Sequence, residues 1–435
     1  MSVRGWLGWM LLLSSALAFA AEPPRTVSAR LLDHLQGGRY TEVEAMFTPA
    51  MAQAVPAEKL KTLWASLEPQ FGRLQRRGEP VVSSRDGMQI VVTRLHFERG
   101  ALDAQVAVDA DGRVAGLLLR PAAADMAAAV PVPPDATYEE RALDIGAGEH
   151  ALPGTLAMPK GAGPFPAVVL VHGSGPHDRD ETIGPNRPFL DIARGLASQG
   201  IAVLRYEKRT HAQPEAFAGR AMFTVDDEAT DDAVAAIAAL RAQPHIDGKR
   251  VFVFGHSLGG MIAPRIARQS GQVAGLVLLA APARSLMTIL PEQNRFLLGA
   301  QGAASPEGRA FLAKLDAQIA HVRGTGPDTS TDTPLGLPAG YWRSLEAIDP
   351  VGEAVASGLP VLLLQGGRDF QVVDADWRIW QDTFATQRNA RLHHYPDLNH
   401  LGIAGTGAPS MDEYQKAGHV DARLIDDVAQ WIKEH

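Results

Sequence analysis

The chain has 435 residues, more than one ordinary domain holds, so two folded units are expected. A hydrophobic content of 46% with 21% charged residues is that of a globular protein, and a net charge of −8 gives no basic footprint for nucleic acid or anionic lipid. There is no cysteine, which excludes disulfides, thiolate metal sites, a thiol nucleophile and a lipid-anchored amino-terminal cysteine.

The first segment reads as a targeting signal. Arg4 precedes an apolar run from Trp6 to Leu17, and Ala18-Phe19-Ala20 is a small-x-small cleavage site. The run is shorter than the ~20 residues that usually span a bilayer. A signal peptide over 1–20, cut after Ala20 or Ala21, is therefore expected, with a secreted or periplasmic product that does not stay inserted in the membrane.

From 26 to 121 the pattern is helical and then extended. Leu31, Leu32 and Leu35, then Val43, Met46 and Phe47, then Leu60, Leu63, Trp64 and Leu67 fall at helical spacings. Asp86-Gly87, Arg99-Gly100 and Asp111-Gly112 then punctuate strand-like runs, and Leu102, Ala104, Val106 and Val108 alternate along one of them. Helices followed by a meander predict a small α+β domain. His34 and His96 are lone residues there, without partners that would make a catalytic set.

The Ala/Pro-rich stretch 122–137 reads as a linker. Beyond it strands are expected near 150–157, 166–172, 201–206, 250–255, 274–280, 359–365 and 389–395. Helices are expected near 188–199, 224–242, 257–270, 374–386 and 420–434. Buried apolar strands alternating with amphipathic helices predict an α/β fold with a mostly parallel sheet covered on both faces. One interruption, about 284–349, holds two helix-like pieces (286–298 and 307–322) and a Gly/Pro/Thr-rich stretch, and is expected to cap the sheet's carboxyl edge.

The stretch that organises this half is Val251-Phe-Val-Phe-Gly255-His-Ser257-Leu-Gly259-Gly260. An apolar strand runs into G-x-S-x-G and at once into a helical pattern through Met261, Ile262 and Ile266. A side chain at the tip of so tight a turn needs neighbours without a Cβ two residues away on either side. The turn lifts the Ser257 hydroxyl clear of the sheet and sets the Leu258 N–H at a helix N-terminus, suited to developing negative charge.

A serine hydroxyl needs a base, and the base needs a partner that fixes its tautomer. Leu359-Pro-Val-Leu-Leu-Leu-Gln-Gly-Gly-Arg-Asp369 is an apolar strand ending in glycines and a carboxylate, so Asp369 is the expected acid. The next strand ends in Pro396-Asp-Leu-Asn-His400, which supplies the expected base. Among the rivals, His393 and His394 lie within a strand and His419 opens the last helix. Asp374 and Asp376 suit a helix start. Asp349 is a turn residue, and Asp397 competes with Asp369 but shares a short loop with His400.

The second oxyanion donor is expected in Val171-His172-Gly173-Ser174-Gly175-Pro176, from the Ser174 amide, with Gly175 as the alternative. The following His177-Asp178-Arg179-Asp180-Glu181 reads as a solvated or salt-bridged loop; contact of His177 or Arg179 with a polar substrate group is the alternative. Arg205, Glu207, Lys208 and Arg209 read as strand-end charges that pair among themselves. No Walker or dinucleotide glycine pattern and no H-E-x-x-H spacing occurs, so neither a cofactor nor a metal is expected.

With these motifs in place, residues 138–435 resemble an α/β-hydrolase, close to serine esterases with an HG-type oxyanion loop and a helical lid. The resemblance rests on His172-Gly-Ser-Gly-Pro-His-Asp-Arg-Asp180, Arg205-Tyr-Glu-Lys-Arg209, Gly255-His-Ser-Leu-Gly-Gly260 and Gln365-Gly-Gly-Arg-Asp369. Residues 26–121 resemble the small accessory domain, cone-shaped and NTF2-like or cystatin-like, found ahead of some secreted hydrolases. The resemblance implies carboxylic-ester hydrolysis through an acyl-enzyme, with Ser257 as nucleophile, His400 as base then acid, Asp369 as orienting carboxylate, and Leu258 and Ser174 as oxyanion amides; short to medium acyl esters are the expected substrates. Related sequences include thioesterases, acyltransferases and peptidases, so an acyl thioesterase or serine peptidase stays open, as does a non-catalytic binding protein. The expected partner is a small ester; self-association into a homo-oligomer stays open.

Overall fold

A computed structural model of the chain describes residues 22–121 and 130–435, apart from 66, 68–70, 86, 99, 218 and 219. The expected signal peptide and residues 122–129 of the expected linker lie outside the described residues. The chain divides into two compact units, Met1–Ala129 and Val130–His435.

Among the described residues of the first unit, helices α1 (Pro24–Gln36), α2 (Tyr40–Ala45), α3 (Pro49–Ala54) and α4 (Ala57–Ala65) precede five antiparallel strands. The strands are β1 (Leu74–Arg77), β2 (Val81–Arg85), β3 (Met88–Phe97), β4 (Gly100–Val108) and β5 (Val114–Pro121), ordered β1-β3-β4-β5 with β2 also paired to β3. The helical spacing of Val27, Leu31 and Leu35 and the alternation of Leu102, Ala104, Val106 and Val108 bring these side chains into one core.

The second unit is built on an eight-stranded sheet: β6 (Tyr138–Ala142), β7 (Gly154–Pro159), β8 (Phe165–Val171), β9 (Ala202–Tyr206), β10 (Ile246–His256), β11 (Leu276–Leu279), β12 (Val361–Gly366) and β13 (Ala390–Tyr395). Their order is β13-β12-β11-β10-β8-β9-β7-β6, parallel except where β7 pairs with β6 and β9. The central strands read as unbroken apolar runs because both faces are covered. Ala167, Val169 and Val171 join one core, whereas Val168 and Leu170 join a second. Helices α5 (Pro188–Ser198) and α13 (Ala422–Glu434) close over the second core, and α6 (Asp231–Arg241), α7 (Leu258–Ser270) and α12 (Asp374–Phe384) over the first.

Several boundaries differ from expectation. β6 was not anticipated: as an edge strand with exposed Glu139, it carries only a single buried residue, Tyr138, too little for a periodic signal. The strand near 150–157 begins only at Gly154, after a 3₁₀ turn over Gly148–His150. The helix near 224–242 opens with a π-helical turn, Asp226–Thr230. His419 lies before the last helix and pairs with Asp191.

The interruption is helical, as expected, over α8 (Leu286–Ala304) and α9 (Pro306–Arg323). It also holds α10 (Ala339–Glu346), and α11 (Pro350–Ser357) follows with Asp349 as its N-cap, its carboxylate accepting from the Gly352 amide at 2.9 Å. The Gly/Pro/Thr-rich piece between α9 and α10 is irregular but held. Arg343 donates to the carbonyls of Val322, Gly324 and Gly326 at 2.7–2.9 Å, taking the place of a ladder. No helix of the described residues is long and apolar enough to cross a membrane.

Candidate active site

Ser257 stands between β10 and α7 with φ 53° and ψ −118°, a backbone that costs a non-glycine residue of order 1–3 kcal/mol. The turn closes because its neighbours lack a Cβ: one on Gly255 would overlap the Gly259 carbonyl, and one on Gly259 would overlap that of Val171. Leu258, the first residue of α7, has an amide with no intrahelical acceptor. Local strain is thus stored at the one residue whose hydroxyl must stand clear.

Asp369 follows β12 and His400 follows β13. His400 Nδ1 lies 2.7 Å from Asp369 Oδ2, and both side chains are buried. Asp369 Oδ1 accepts the amides of Gln371 and Val372 at 2.8 and 2.9 Å, which fixes the orientation of the carboxyl group and leaves Oδ2 to the histidine. Gly366 permits the two loops to meet, since a Cβ there would run into the Leu398 carbonyl. With Nδ1 engaged, Nε2 is the ring nitrogen left to His400, and His400 and Ser257 line one cavity.

The rival carboxylates are occupied elsewhere. Asp397 pairs with Arg423 at 2.7 Å on the exposed side. Asp376 does more than favour a helix start: fully buried, it accepts the amides of Ala283 and Arg284, each at 3.0 Å, and pairs with the Arg284 guanidinium at 2.7 Å. His393 belongs to β13 and pairs with Asp427, and His394 of the same strand lies 3.7 Å from Asp374.

The loop after β8 passes beside Ser257: a Cβ on Gly173 would lie 3.2 Å from the Ser257 Cβ. Ser174 and Gly175 line the same cavity as Ser257. A buried chain of contacts ties this loop to the histidine loop. The Gly173 amide donates to Glu181 Oε1 at 2.6 Å, Glu181 Oε2 meets His256 Nδ1 at 2.8 Å, and His256 Nε2 meets the His400 carbonyl at 2.9 Å. Burial alone would raise the Glu181 carboxyl, but the charge and hydrogen bond of His256 hold it down at about 2. Burial likewise opposes protonation of His256, and Glu181 overrides it, so the imidazole is raised above its ordinary value. Each partner thus favours the charged form of the other. His172 has no such carboxylate in contact; burial pushes it down to about 3, and its Nε2–H donates to the Asp178 carbonyl at 3.0 Å as a neutral ring.

The charged residues near this loop sort differently from expectation. Arg179 pairs with Glu207 at 2.6 Å and Arg205 with Asp180 at 3.0 Å, as a salt-bridged loop should. The strand-end charges do not pair among themselves as expected: Arg205 and Glu207 turn to the loop, Arg209 pairs with Asp232, and Lys208 reaches further still. Its ammonium lies 2.7 Å from Glu228, in the π-helical turn, and donates to the Gly173 carbonyl at 2.9 Å. Glu228 in turn accepts from Tyr341 Oη on α10 at 2.6 Å. Sequence reasoning missed Glu181, His256, Glu228 and Tyr341, whose partners lie 75 and 113 residues away in sequence.

The cavity measures about 420 Å³. Its walls are mostly apolar, with Leu286 and Leu290 from α8, Trp342 from α10, and Leu335 and Leu337 from the segment between. A strand-turn-helix elbow carrying a serine at the carboxyl edge of a parallel sheet in this strand order, with a carboxylate after β12 and a histidine after β13, defines an α/β-hydrolase. Residues 163–403 match the family model described as serine aminopeptidase, S33, and residues 28–117 match one described as a protein of unknown function, DUF3887. The esterase EstD of Thermotoga maritima is 37% identical over 404 residues, 92% of this chain and 93% of that one. The chain belongs to the S33 family of α/β-hydrolases. Among solved structures it is similar to Est1E from Butyrivibrio proteoclasticus (19% identity, TM-score 0.42, covering 67% of this chain and 96% of that one). It is also similar to the Pyrococcus furiosus esterase Pf2001 (18%, TM-score 0.44, 70% and 93%).

Proposed function

We propose that this chain hydrolyses carboxylic esters with short to medium acyl groups through an acyl-enzyme. Ser257 is the nucleophile, His400 the base and then the acid, Asp369 the orienting carboxylate, and the amides of Ser174 and Leu258 the oxyanion donors. The observation that carries this reading is the buried 2.7 Å His400–Asp369 pair beside a cavity that Ser257 also lines. His400 Nε2 takes the Ser257 proton as Oγ attacks the carbonyl carbon, and the two amides hold the oxygen that becomes charged. Collapse breaks the ester C–O bond, and the Nε2 proton leaves with the alcohol. Water, deprotonated by the same nitrogen, then attacks the acyl carbon; the second collapse returns a proton to Ser257 and releases the acid.

The charge balance of the cavity favours esters over peptides with a free amino end. The carboxylates among its described lining residues, Glu181 and Glu228, are already engaged, by His256 at 2.8 Å and by Lys208 at 2.7 Å. An ammonium entering the site would find neither of them free, whereas a neutral acyl chain suits the apolar walls. A p-nitrophenyl ester series from acetate to decanoate, run beside an acyl thioester and a peptide anilide, tests this. Esters of short or medium chain should have the highest kcat/KM; a peptide anilide or thioester that surpasses them all would overturn the ester assignment. The signal pattern in residues 1–20 supports a secreted or periplasmic enzyme, and mature protein from a secreting host should begin at Ala21 or Glu22 rather than Met1.

A further inference from the structure

We propose that Lys208 is a positioning residue for the oxyanion site: its ammonium holds the Gly173–Ser174 peptide so that the Ser174 N–H faces the oxygen that becomes charged. The inference rests on the reading of Ser174 as an oxyanion donor. Lys208 is 2% exposed, and burying an ammonium costs several kcal/mol unless it is paired and hydrogen-bonded. Glu228 neutralises it at 2.7 Å, yet the second contact, 2.9 Å to the Gly173 carbonyl, falls on the peptide unit that contains the Ser174 amide.

In a trans peptide the C=O and N–H point in opposite directions. A cation fixed on the oxygen side therefore fixes the N–H on the other, and that amide donates to no protein group among the described residues. The glycines that flank Ser174 impose little steric restraint of their own, and Gly175 sits at φ 97°; the Ser174 carbonyl meets His177 Nε2 at 2.7 Å, which leaves the Gly173–Ser174 peptide for Lys208 to hold. Glu181 holds the Gly173 amide at 2.6 Å, so the peptide units on both sides of Gly173 are clamped by buried charged groups. A charge on the carbonyl also polarises its peptide and strengthens the N–H as a donor. Through Glu228 and Tyr341 the same lysine is linked to helix α10 of the cap.

Three variants separate this role from simple ion pairing. Lys208→Met removes the clamp but leaves Glu228 buried without its cation; Lys208→Met combined with Glu228→Gln removes both charges and covers the case in which the single variant does not fold. In whichever folds, kcat on a p-nitrophenyl ester should fall ~10²-fold, comparable to loss of one oxyanion donor, with KM within about threefold of wild type. The affinity of a trifluoromethyl ketone, which forms a tetrahedral adduct, should weaken by the same factor. A kcat within about threefold of wild type in either folded variant overturns the role of Lys208. Ser174→Pro, which deletes the amide hydrogen, is the third variant. Its inactivation together with active Lys208 variants retires Lys208 alone, whereas a fully active, folded Ser174→Pro enzyme retires the oxyanion reading beneath it.

Discussion

Asp369 and Asp397 illustrate how local surroundings choose between two carboxylates near one histidine. Asp369 is buried, receives two backbone amides and meets His400 Nδ1; Asp397 is spent on Arg423 at the surface. Asp369→Asn should therefore cost ~10²–10⁴-fold in kcat by disturbing the histidine's tautomer and removing its counter-charge, with the larger figure reached if the ring reverses. Asp397→Asn should leave ester turnover near wild type, and a steady-state comparison of the two variants decides the matter. The three principal residues were legible because each stands at a strand end, where an apolar run stops at glycine or a short turn. Lys208 and Glu181 were not. A lone charge in a dense charged loop carries no trace of which distant group it will meet, and the positive φ of 51° at Glu181 has no sequence signal.

At the level of elements, the turn leaving β8 couples the site to pH. His172, at its edge, is buried and held at about 3, below the 6.5 of an unfolded histidine. As pH falls from 6.5 towards 3, the unfolded chain binds a proton here that the folded chain refuses, so stability falls across that window; near pH 3 the loss approaches ~3–5 kcal/mol. His256 has the opposite sign: its stabilisation is present below 6.5 and declines as pH rises through its raised folded value. Urea midpoints at pH 7 and pH 4 should drop further for wild type than for His172→Gln, and equal drops would contradict the assignment. The strands were read nearly in place because coverage on both faces leaves an unmistakable apolar run. The edge strand β6 and helix α10 were missed for complementary reasons: β6 buries little, and α10 follows a Gly/Pro-rich stretch whose carbonyls are satisfied by Arg343 rather than by a regular ladder.

On the scale of the whole molecule, two cores form from two kinds of sequence rhythm. Residues up to 121 alternate first at helical and then at strand spacing, and their described buried hydrophobic side chains form one core. Ser257, Asp369 and His400, the proposed catalytic residues, all lie within Val130–His435, and the match to the Thermotoga maritima esterase extends over both units. The proposed hydrolysis depends on Ser257 becoming acylated. Incubation with a fluorophosphonate, followed by tryptic digestion and mass spectrometry, tests that most directly. One adduct is predicted, on the peptide carrying Ser257, with ester hydrolysis lost in proportion to labelling and both abolished in a folded Ser257→Ala variant. Undiminished hydrolysis by Ser257→Ala, or inactivation with the adduct on another residue, would contradict the account.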